Sequence, residues 1–323
     1  MPEADALADK FVGCLLGCAI GDALGMPTEG MSRREIEMRY GRVTEFRAGA
    51  GLEAGQYTDD TQMMLCLAEQ IAEDGEFNAA AAARRFVWWY HDRPRRPGRA
   101  CMDACKRLIA GAPWSESGGE GEAGCGTAMR VMPIGLRYVR DPVALRRAAV
   151  ESAVITHRDA RAMAGAVAIA YGVARALCAG EAPDGDAFLG EVADFVADVD
   201  GQMAAAIGEA RRLLSADPWD ALGEIGTGVF VLEAVPAALY CFARSLAGFS
   251  TPLPSTGLEA AVVLAANAGG DTDSVAAMAG SLSGALNGVG RIPPRFRDNV
   301  ESAEHLRKVA LRLHGHAVGS VVH

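Results

Sequence analysis

Two short acidic stretches carry the strongest chemistry in this sequence. Tyr57-Thr58-Asp59-Asp60-Thr61 precedes an apolar, methionine-rich stretch, and Asn267-Ala268-Gly269-Gly270-Asp271-Thr272-Asp273-Ser274 precedes one rich in alanine and glycine. In both, carboxylates and hydroxyls gather where a loop turns into a helix. N-capping is the ordinary explanation, because a side-chain oxygen satisfies a free backbone N–H and a carboxylate complements the helix dipole. One residue meets that need. Two carboxylates ahead of a helix too apolar for the surface are excessive, since buried like charges repel and raise one another's pKa. A bound cation removes the difficulty. If the two helix starts face each other, Asp59, Asp60, Asp271, Asp273 and the hydroxyls of Thr58 and Ser274 form one set of hard oxygen donors. Neither stretch holds an imidazole or a thiolate, which favours Mg²⁺, Mn²⁺ or Ca²⁺ over Zn²⁺. Four carboxylates balance two divalent ions, which lie about 3.5–4 Å apart in two-metal sites.

The elements that must position these groups read as helices. The apolar spacing predicts helices over 60–72, 79–89, 102–109, 142–154, 158–178, 191–214, 229–242, 258–267, 274–286 and 303–313. The 158–178 stretch carries little charge in its middle and reads as buried. Alternating patterns are scarce, and Val43–Phe46 is the one candidate strand. The expected class is all-α, with one domain over residues 1–323 and a continuous core. Of the 323 residues, 50% are hydrophobic but only 6% aromatic, so that core is mostly small and aliphatic. Glycine-rich loops at 49–55, 118–126 and 269–270 punctuate the helices, and Gly280, Gly284 and Gly288 share one helix face that allows close backbone approach.

Charge and cysteine usage bound the function classes. A formal charge of -10 argues against binding nucleic acid through its phosphates. The start, MPEADALADK, lacks the pattern of a secretory signal, and the uncharged run from Ser274 to Gly290 falls short of the roughly 20 apolar residues that span a bilayer. A cytoplasmic protein with no membrane partner is expected. The eight cysteines form no metal-binding pattern, and Cys14/Cys18 and Cys101/Cys105 are spaced to share helix faces, as small buried hydrophobes in a reducing compartment. His314 and His316 read as tail residues.

Taken in order along the chain, the motifs resemble the ADP-ribosylglycohydrolase family. They are Gly13-Cys-Leu-Leu-Gly17 leading to Gly21-Asp22-Ala-Leu-Gly25, with Pro27 and Glu29; Tyr57 to Gln62; Gly98-Arg-Ala-Cys-Met-Asp103; Gly124-Cys-Gly126-Thr-Ala-Met129-Arg130; Ile155-Thr156-His157 with Asp159; and Asn267 to Ser274. Each is weak alone, but the two acidic motifs in order with the glycine elements between them are specific. The resemblance implies a compact, orthogonal multi-helix bundle with a dinuclear Mg²⁺ or Mn²⁺ centre at the base of a cleft. It makes Thr58, Asp59, Asp60, Asp271, Asp273 and Ser274 the metal ligands, with Asp60 and Asp273 bridging. Ser274 stands where many members have Thr, which keeps the hydroxyl. Cys125 stands where members often carry Asn, and a thiol is the poorer hydrogen-bond partner.

The implied reaction is hydrolysis of the bond from ribose C1 to an acceptor side chain, through an oxocarbenium-like state. The substrate is an ADP-ribosylated protein and the product ADP-ribose. Arginine is the expected acceptor, with serine-linked or small-molecule ADP-ribosyl compounds as the alternative. Glu29 and Asp103 are expected to transfer a proton or position substrate, and Asp59 to share that role; an exposed loop carboxylate and a helical ion pair with Arg107 are the plain readings of the first two. Gly124, Gly126 and Thr127 lead into an expected helix, and their own backbone N–H groups are expected to hold pyrophosphate; Met129, Thr156 and His157 complete the expected substrate wall. Two other classes remain open. A metal phosphohydrolase would use Asp271-x-Asp273, but that motif normally follows a strand. A non-catalytic, crystallin-like relative could dispense with the acidic ligands, and all four are present here.

Overall fold

Glycines spaced every fourth residue decide how the two central helices of this protein meet. The fold is that of a computed structural model, whose described residues are 4–247 and 257–319. Its α-helices in order are α1 (Ala4–Gly25), α2 (Arg33–Tyr40), α3 (Asp59–Asp74), α4 (Ala79–His91), α5 (Arg99–Ile109), α6 (Met132–Arg137), α7 (Pro142–Val154) and α8 (Ala160–Cys178). There follow α9 (Gly185–Val196), α10 (Gly201–Arg212), α11 (Pro218–Ile225), α12 (Val231–Leu246), α13 (Gly257–Ala266), α14 (Thr272–Asn287), α15 (Pro294–Arg297) and α16 (Ala303–Gly319). The all-α class holds. The strands among the described residues are two-residue pieces, β1 (Gly119–Glu120) and β2 (His157–Arg158), paired in parallel.

Helices α1 and α14 run antiparallel through the centre. Gly13 lies against Gly284, Gly17 against Gly280, Gly21 against Ala276 and Gly25 against Thr272. A Cβ on Gly21 would stand 1.9 Å from the Ala276 carbonyl oxygen, and one on Gly17 would stand 2.1 Å from that of Gly280. Only glycine permits this approach, so the helix propensity lost to glycine is offset by backbone-to-backbone packing. Helices α13, α12 and α8 close around α14, and every residue from Thr272 to Leu286 is buried. The hydrophobic core is one connected cluster running from Leu7 to Ala317.

Several helix starts follow ordinary capping. Asn78, Asp141, Asp159, Asp184, Asp200 and Asp217 each accept a hydrogen bond from a first-turn amide with their own side chain. The starts of α3 and α14 do not, because neither Thr58 nor Asp271 caps its helix with its side chain. That separates the two acidic motifs from the capping explanation.

Several expected elements differ. Helix α1 is absent from the expected set, although the Cys14/Cys18 spacing suits a helix face; its repeated glycines lower helix propensity until the partner helix is in view. The expected 191–214 helix is two, α9 and α10, broken where Asp200 caps Met203 N at 2.8 Å. Gly288 lies just beyond α14 as its C-cap at φ 76°, and a Cβ on Gly13 would stand 2.9 Å from its Cα, so it extends the close approach without being part of the helix. Val43–Phe46 is no strand. Val43 N donates to Asn267 Oδ1 at 2.8 Å and its carbonyl accepts from Asn267 Nδ2 at 2.8 Å, so a side-chain amide takes the place of a neighbouring strand. Two stretches are long and apolar enough to cross a membrane, Asp5–Thr28 and Ala160–Cys178, whereas the charge-free run at Ser274–Gly290 had marked the longest candidate. The apolar window of the first is wholly buried within the protein and 72% of the second is, which accounts for their composition as core helices.

Candidate active site

The two acidic helix starts meet. Asp22, Asp60 and Asp273 bring carboxylate oxygens within 4.8 Å of one another, and Glu29, Asp271 and Asp273 form a second such group. Asp273 belongs to both. These residues and Asp59 stand at one end of the α1–α14 pair, beneath a cleft of about 270 Å³ lined by Glu29, Asp59, Asp60, Asp271, Asp273 and Ser274 on one side.

Asp22 was not among the expected site residues, yet it organises this floor. It projects from α1, fully buried. Its Oδ1 accepts from Thr58 N and Thr58 Oγ1, each at 2.9 Å, and its Oδ2 from Thr61 N at 3.0 Å and Thr61 Oγ1 at 2.6 Å. A carboxylate from one helix thus caps the start of another. The Gly21-Asp22 pair following a glycine repeat was the signal: an acid within the uncharged, apolar half of a helix must have a partner.

The loops complete the arrangement. Gly30 N donates to Gly270 O at 2.8 Å and Gly270 N to Met31 O at 2.9 Å, which ties Glu29 beside the Asp271 turn. Gly269 and Gly270 take φ of 87° and 75°, conformations that favour glycine. A third loop covers α3. Asp59 N donates to Arg95 O at 3.0 Å, and Gly98 N to Asp59 Oδ2 at 3.2 Å. Arg93 and Arg96 in that loop hold φ of 54° and 52°, strained for residues with side chains. Arg96 turns its guanidinium onto Glu29 Oε2 at the mouth of the cleft.

The floor is under electrostatic stress. Burial raises the carboxyls of Asp59, Asp60 and Asp273 well above the ordinary range, and neighbouring carboxylates add to the effect. Burial pushes Asp22 up to about 6 against the pull of its four hydrogen bonds. Asp60 Oδ1 is buried with no hydrogen-bond partner. An orphaned carboxylate oxygen inside a ring of acids is the feature a divalent cation would satisfy, and the surrounding donors are oxygens suited to Mg²⁺ or Mn²⁺. Thr58 Oγ1 lies 3.2 Å from Asp60 Oδ2 but is also engaged with Asp22. Ser274 Oγ faces the sulfurs of Cys125 at 3.7 Å and Met129 at 3.9 Å.

The opposite wall is built from the glycine loop and β2. Gly124, Gly126, Met129, His157 and Cys101 line the cleft there. Cys125 donates its S–H to Asp271 Oδ2 at 2.9 Å, so the thiol binds a floor carboxylate. The expected helix after Gly126 is only a three-residue 3-10 turn, Cys125–Thr127, with α6 beginning at Met132. A helix dipole for pyrophosphate is therefore not provided at this loop. Two hydroxyls of this wall are engaged away from the cleft. Thr127 Oγ1 donates to Ala162 O at 2.7 Å, and Thr156 Oγ1 lies behind His157, joined to Arg130. Arg130 carried no expected role.

Asp103 stands outside the cleft. It is exposed on α5 and pairs with Lys106 Nζ at 2.8 Å, one position earlier than the Arg107 pairing expected. Cys101 points inward on the same helix, and two residues further round at 100° each faces the opposite side. All eight cysteines are free thiols; seven are buried, as expected, and Cys178 is partly so.

An all-α bundle that gathers four buried aspartates from two helix starts under one cleft defines a class of hydrolase, and the comparisons identify it. The model of the ADP-ribosylglycohydrolase family matches residues 3–320, and the chain belongs to that family. It is similar to the ADP-ribosylhydrolase ARH3 of Gallus gallus, at 30% identity over 94% of this chain and 92% of that one. It is also similar to the ADP-ribosyl-[dinitrogen reductase] glycohydrolase of Rhodospirillum rubrum, at 28% identity over 88% of each. Among solved structures, an ADP-ribosylglycohydrolase-related protein complex superposes with a TM-score of 0.79 at 30% identity, covering 97% of this chain and 99% of that one. Membership makes the chain a glycohydrolase of the ADP-ribosyl class.

Proposed function

We propose that this protein is a divalent-cation-dependent hydrolase that frees ADP-ribose from modified protein side chains, with arginine as the acceptor. The observation that carries the reading is the convergence of Asp59, Asp60, Asp271 and Asp273 beneath one cleft, with the orphaned Asp60 Oδ1 among them. Thr58, Asp59, Asp60, Asp271, Asp273 and Ser274 are the residues that would hold two cations, Mg²⁺ or Mn²⁺. When bound, such a pair supplies Lewis-acid stabilisation of charge on the sugar oxygens and a more acidic water.

The chain's own residues supply the rest. Asp22 keeps Thr58 and Thr61 in place, so the α3 start cannot turn its carboxylates away. Gly98 N–H fixes Asp59 from the other side. Glu29 is the carboxylate beside Asp271 and Asp273 at the edge of the floor, where it can pass a proton between the attacking water and the departing acceptor nitrogen. The bond from ribose C1 to that nitrogen breaks, the water oxygen joins C1, and the proton goes to the leaving group. Asp59, whose carboxyl burial favours in the protonated form, can share that task.

The reading is tested by incubating the protein with arginine- and serine-ADP-ribosylated peptides, with and without EDTA, and identifying products by mass. Intact ADP-ribose from the arginine peptide is expected, lost with chelator and restored by Mg²⁺ or Mn²⁺. Cleavage of the serine peptide alone would reassign the acceptor. Release of inorganic phosphate, or no ADP-ribose from either peptide, would overturn the reading.

A further inference from the structure

Arg130 is fully buried and has no carboxylate among its partners in the described residues. Its guanidinium stacks 4.6 Å from the ring centre of Phe86, and its Nη1 faces the sulfurs of Cys101 at 3.6 Å and Met63 at 3.8 Å. Its Nη2 donates to Ser152 O at 3.0 Å and to Thr156 Oγ1 at 2.7 Å. Burying a guanidinium without a counter-ion is costly. The position of Arg130 explains what that cost maintains.

We propose that Arg130 is a positioning residue that, through Thr156, holds His157 as a neutral imidazole with its Nε2–H directed into the cleft, where it donates to an oxygen of the bound ADP-ribosyl group. The ligand named here rests on the proposed function; the orientation of the ring does not.

The argument is one of proton placement. A guanidinium can only donate, so Thr156 Oγ1 must accept from Nη2. The other contact of that oxygen is His157 Nδ1 at 2.7 Å. The hydroxyl proton is satisfied only by pointing at Nδ1, which must then be unprotonated. The remaining proton of the neutral ring sits on Nε2. The ring is held edge-on to the glycine loop. A Cβ on Gly126 would lie 3.0 Å from His157 Cε1, and one on Gly124 would lie 3.5 Å from Nε2. The bare loop therefore leaves the Nε2 edge open to the cleft, and His157 is among its lining residues. Among the described residues no protein group takes Nε2. Burial, reinforced by the Arg130 charge, pushes His157 down to about 3, which agrees with a ring that stays neutral. A fixed, uncharged donor binds a sugar or phosphate oxygen without adding a positive charge to a cleft meant for cations.

The test reads the tautomer directly. Long-range ¹H–¹⁵N correlation spectra of labelled full-length protein report which ring nitrogen carries the proton, with the His157 signals assigned by their loss in H157Q. Wild type should give one Nε2–H tautomer. T156V removes the hydroxyl and should give a mixture or the Nδ1–H form; T156S keeps it and should restore the single tautomer. ADP-ribose affinity, measured by calorimetry with Mg²⁺ present, should fall about tenfold in T156V, the size expected for one lost hydrogen bond, and recover in T156S. R130M should reproduce T156V; if it does not fold, the threonine pair still decides. An Nδ1–H ring in wild type, or an unchanged tautomer in T156V, overturns the relay. A wild-type protein with the Nε2–H ring that fails to bind ADP-ribose overturns the ligand assignment and the proposed function while the relay stands.

Discussion

The two walls of the cleft handle buried polarity in opposite ways. On the floor, four aspartates and Asp22 crowd together with their carboxyls raised and one oxygen orphaned. On the facing wall, a buried guanidinium, a hydroxyl and an imidazole form a chain that ends in one donor open to the cleft, and the one orphaned atom in it, Arg130 Nε, is sealed away from the cleft. The first wall is incomplete as protein; the second is nearly complete by itself. The difference teaches where to look for ligands of each kind. Clustered buried carboxylates mark a place for cations, and a hydrogen-bonded chain ending in one donor at the cleft marks a place for an acceptor oxygen.

The sharpest way to break this comparison is to neutralise the floor. Asp60→Asn and Asp273→Asn should each lower turnover by on the order of 10³-fold, the scale of losing a group that stabilises charge in the transition state. The same variants should melt higher than wild type when metal is absent, because each removes a buried, uncompensated charge. Calorimetry in EDTA and steady-state assays with Mg²⁺ check the two halves. Wild-type turnover, or a lower metal-free melting temperature, would contradict the account of the floor. The pH dependence follows from the same shifts. Asp22 rises from about 3.8 unfolded to about 6 folded, so its contribution favours the folded state at low pH and is lost as pH rises through 6. The rise in melting temperature on adding Mg²⁺ should therefore be larger at pH 8 than at pH 5.5.

The floor also depends on how closely α1 and α14 pack. Gly21→Ala places a methyl 1.9 Å from the Ala276 carbonyl oxygen and must force apart the helices that carry Asp22 and Asp273. Overpacking of this kind costs about 3 kcal/mol or more and should lower the denaturant midpoint or prevent folding. Gly208→Ala, on α10 with nothing within 4 Å of the added methyl, is the control. It should stabilise by about 0.5–1 kcal/mol, as expected for alanine in a helix interior. Similar losses in both variants would show that propensity, not approach, governs the central pair.

What the sequence made legible follows the same division. The floor was readable because carboxylates repeated beside hydroxyls at two helix starts are hard to explain otherwise. Asp22 was not, because a single acid has its meaning only when the helix it caps is known. The Arg130 chain was hidden for a related reason: Thr156 and His157 are neighbours, but Arg130 lies 26 positions away, and nothing in that spacing says that it touches them. Helix α1 was lost because glycine at every fourth position is unfavourable in isolation and favourable only against a matching helix. The break between α9 and α10 needed nothing distant. Asp200 followed by Gly201 is a local capping signal, and the apolar period simply ran across it.

The smallest expected effects separate position along the chain from position in space. Glu29 and Asp103 are both acidic, both lie near recognisable motifs, and both carry a basic partner, Arg96 for one and Lys106 for the other. They differ in what surrounds the pair. Glu29 shares a group with Asp271 and Asp273 inside the cleft, whereas Asp103 stands on the outer side of α5 in solvent. Glu29→Gln keeps the size of the side chain and removes its proton exchange, so kcat should fall by about 10²-fold, the low end for a lost general acid or base. KM should change less, since the chain around it is unaltered. Asp103→Ala removes only an exposed ion pair, and exposed pairs contribute little because water screens both partners. Its kcat/KM should stay within about twofold of wild type. If Asp103→Ala instead matched Glu29→Gln, the helix α5 surface would have to reach the reacting atoms, and the division of the cleft into a charged floor and a hydrogen-bonded wall would need a third side.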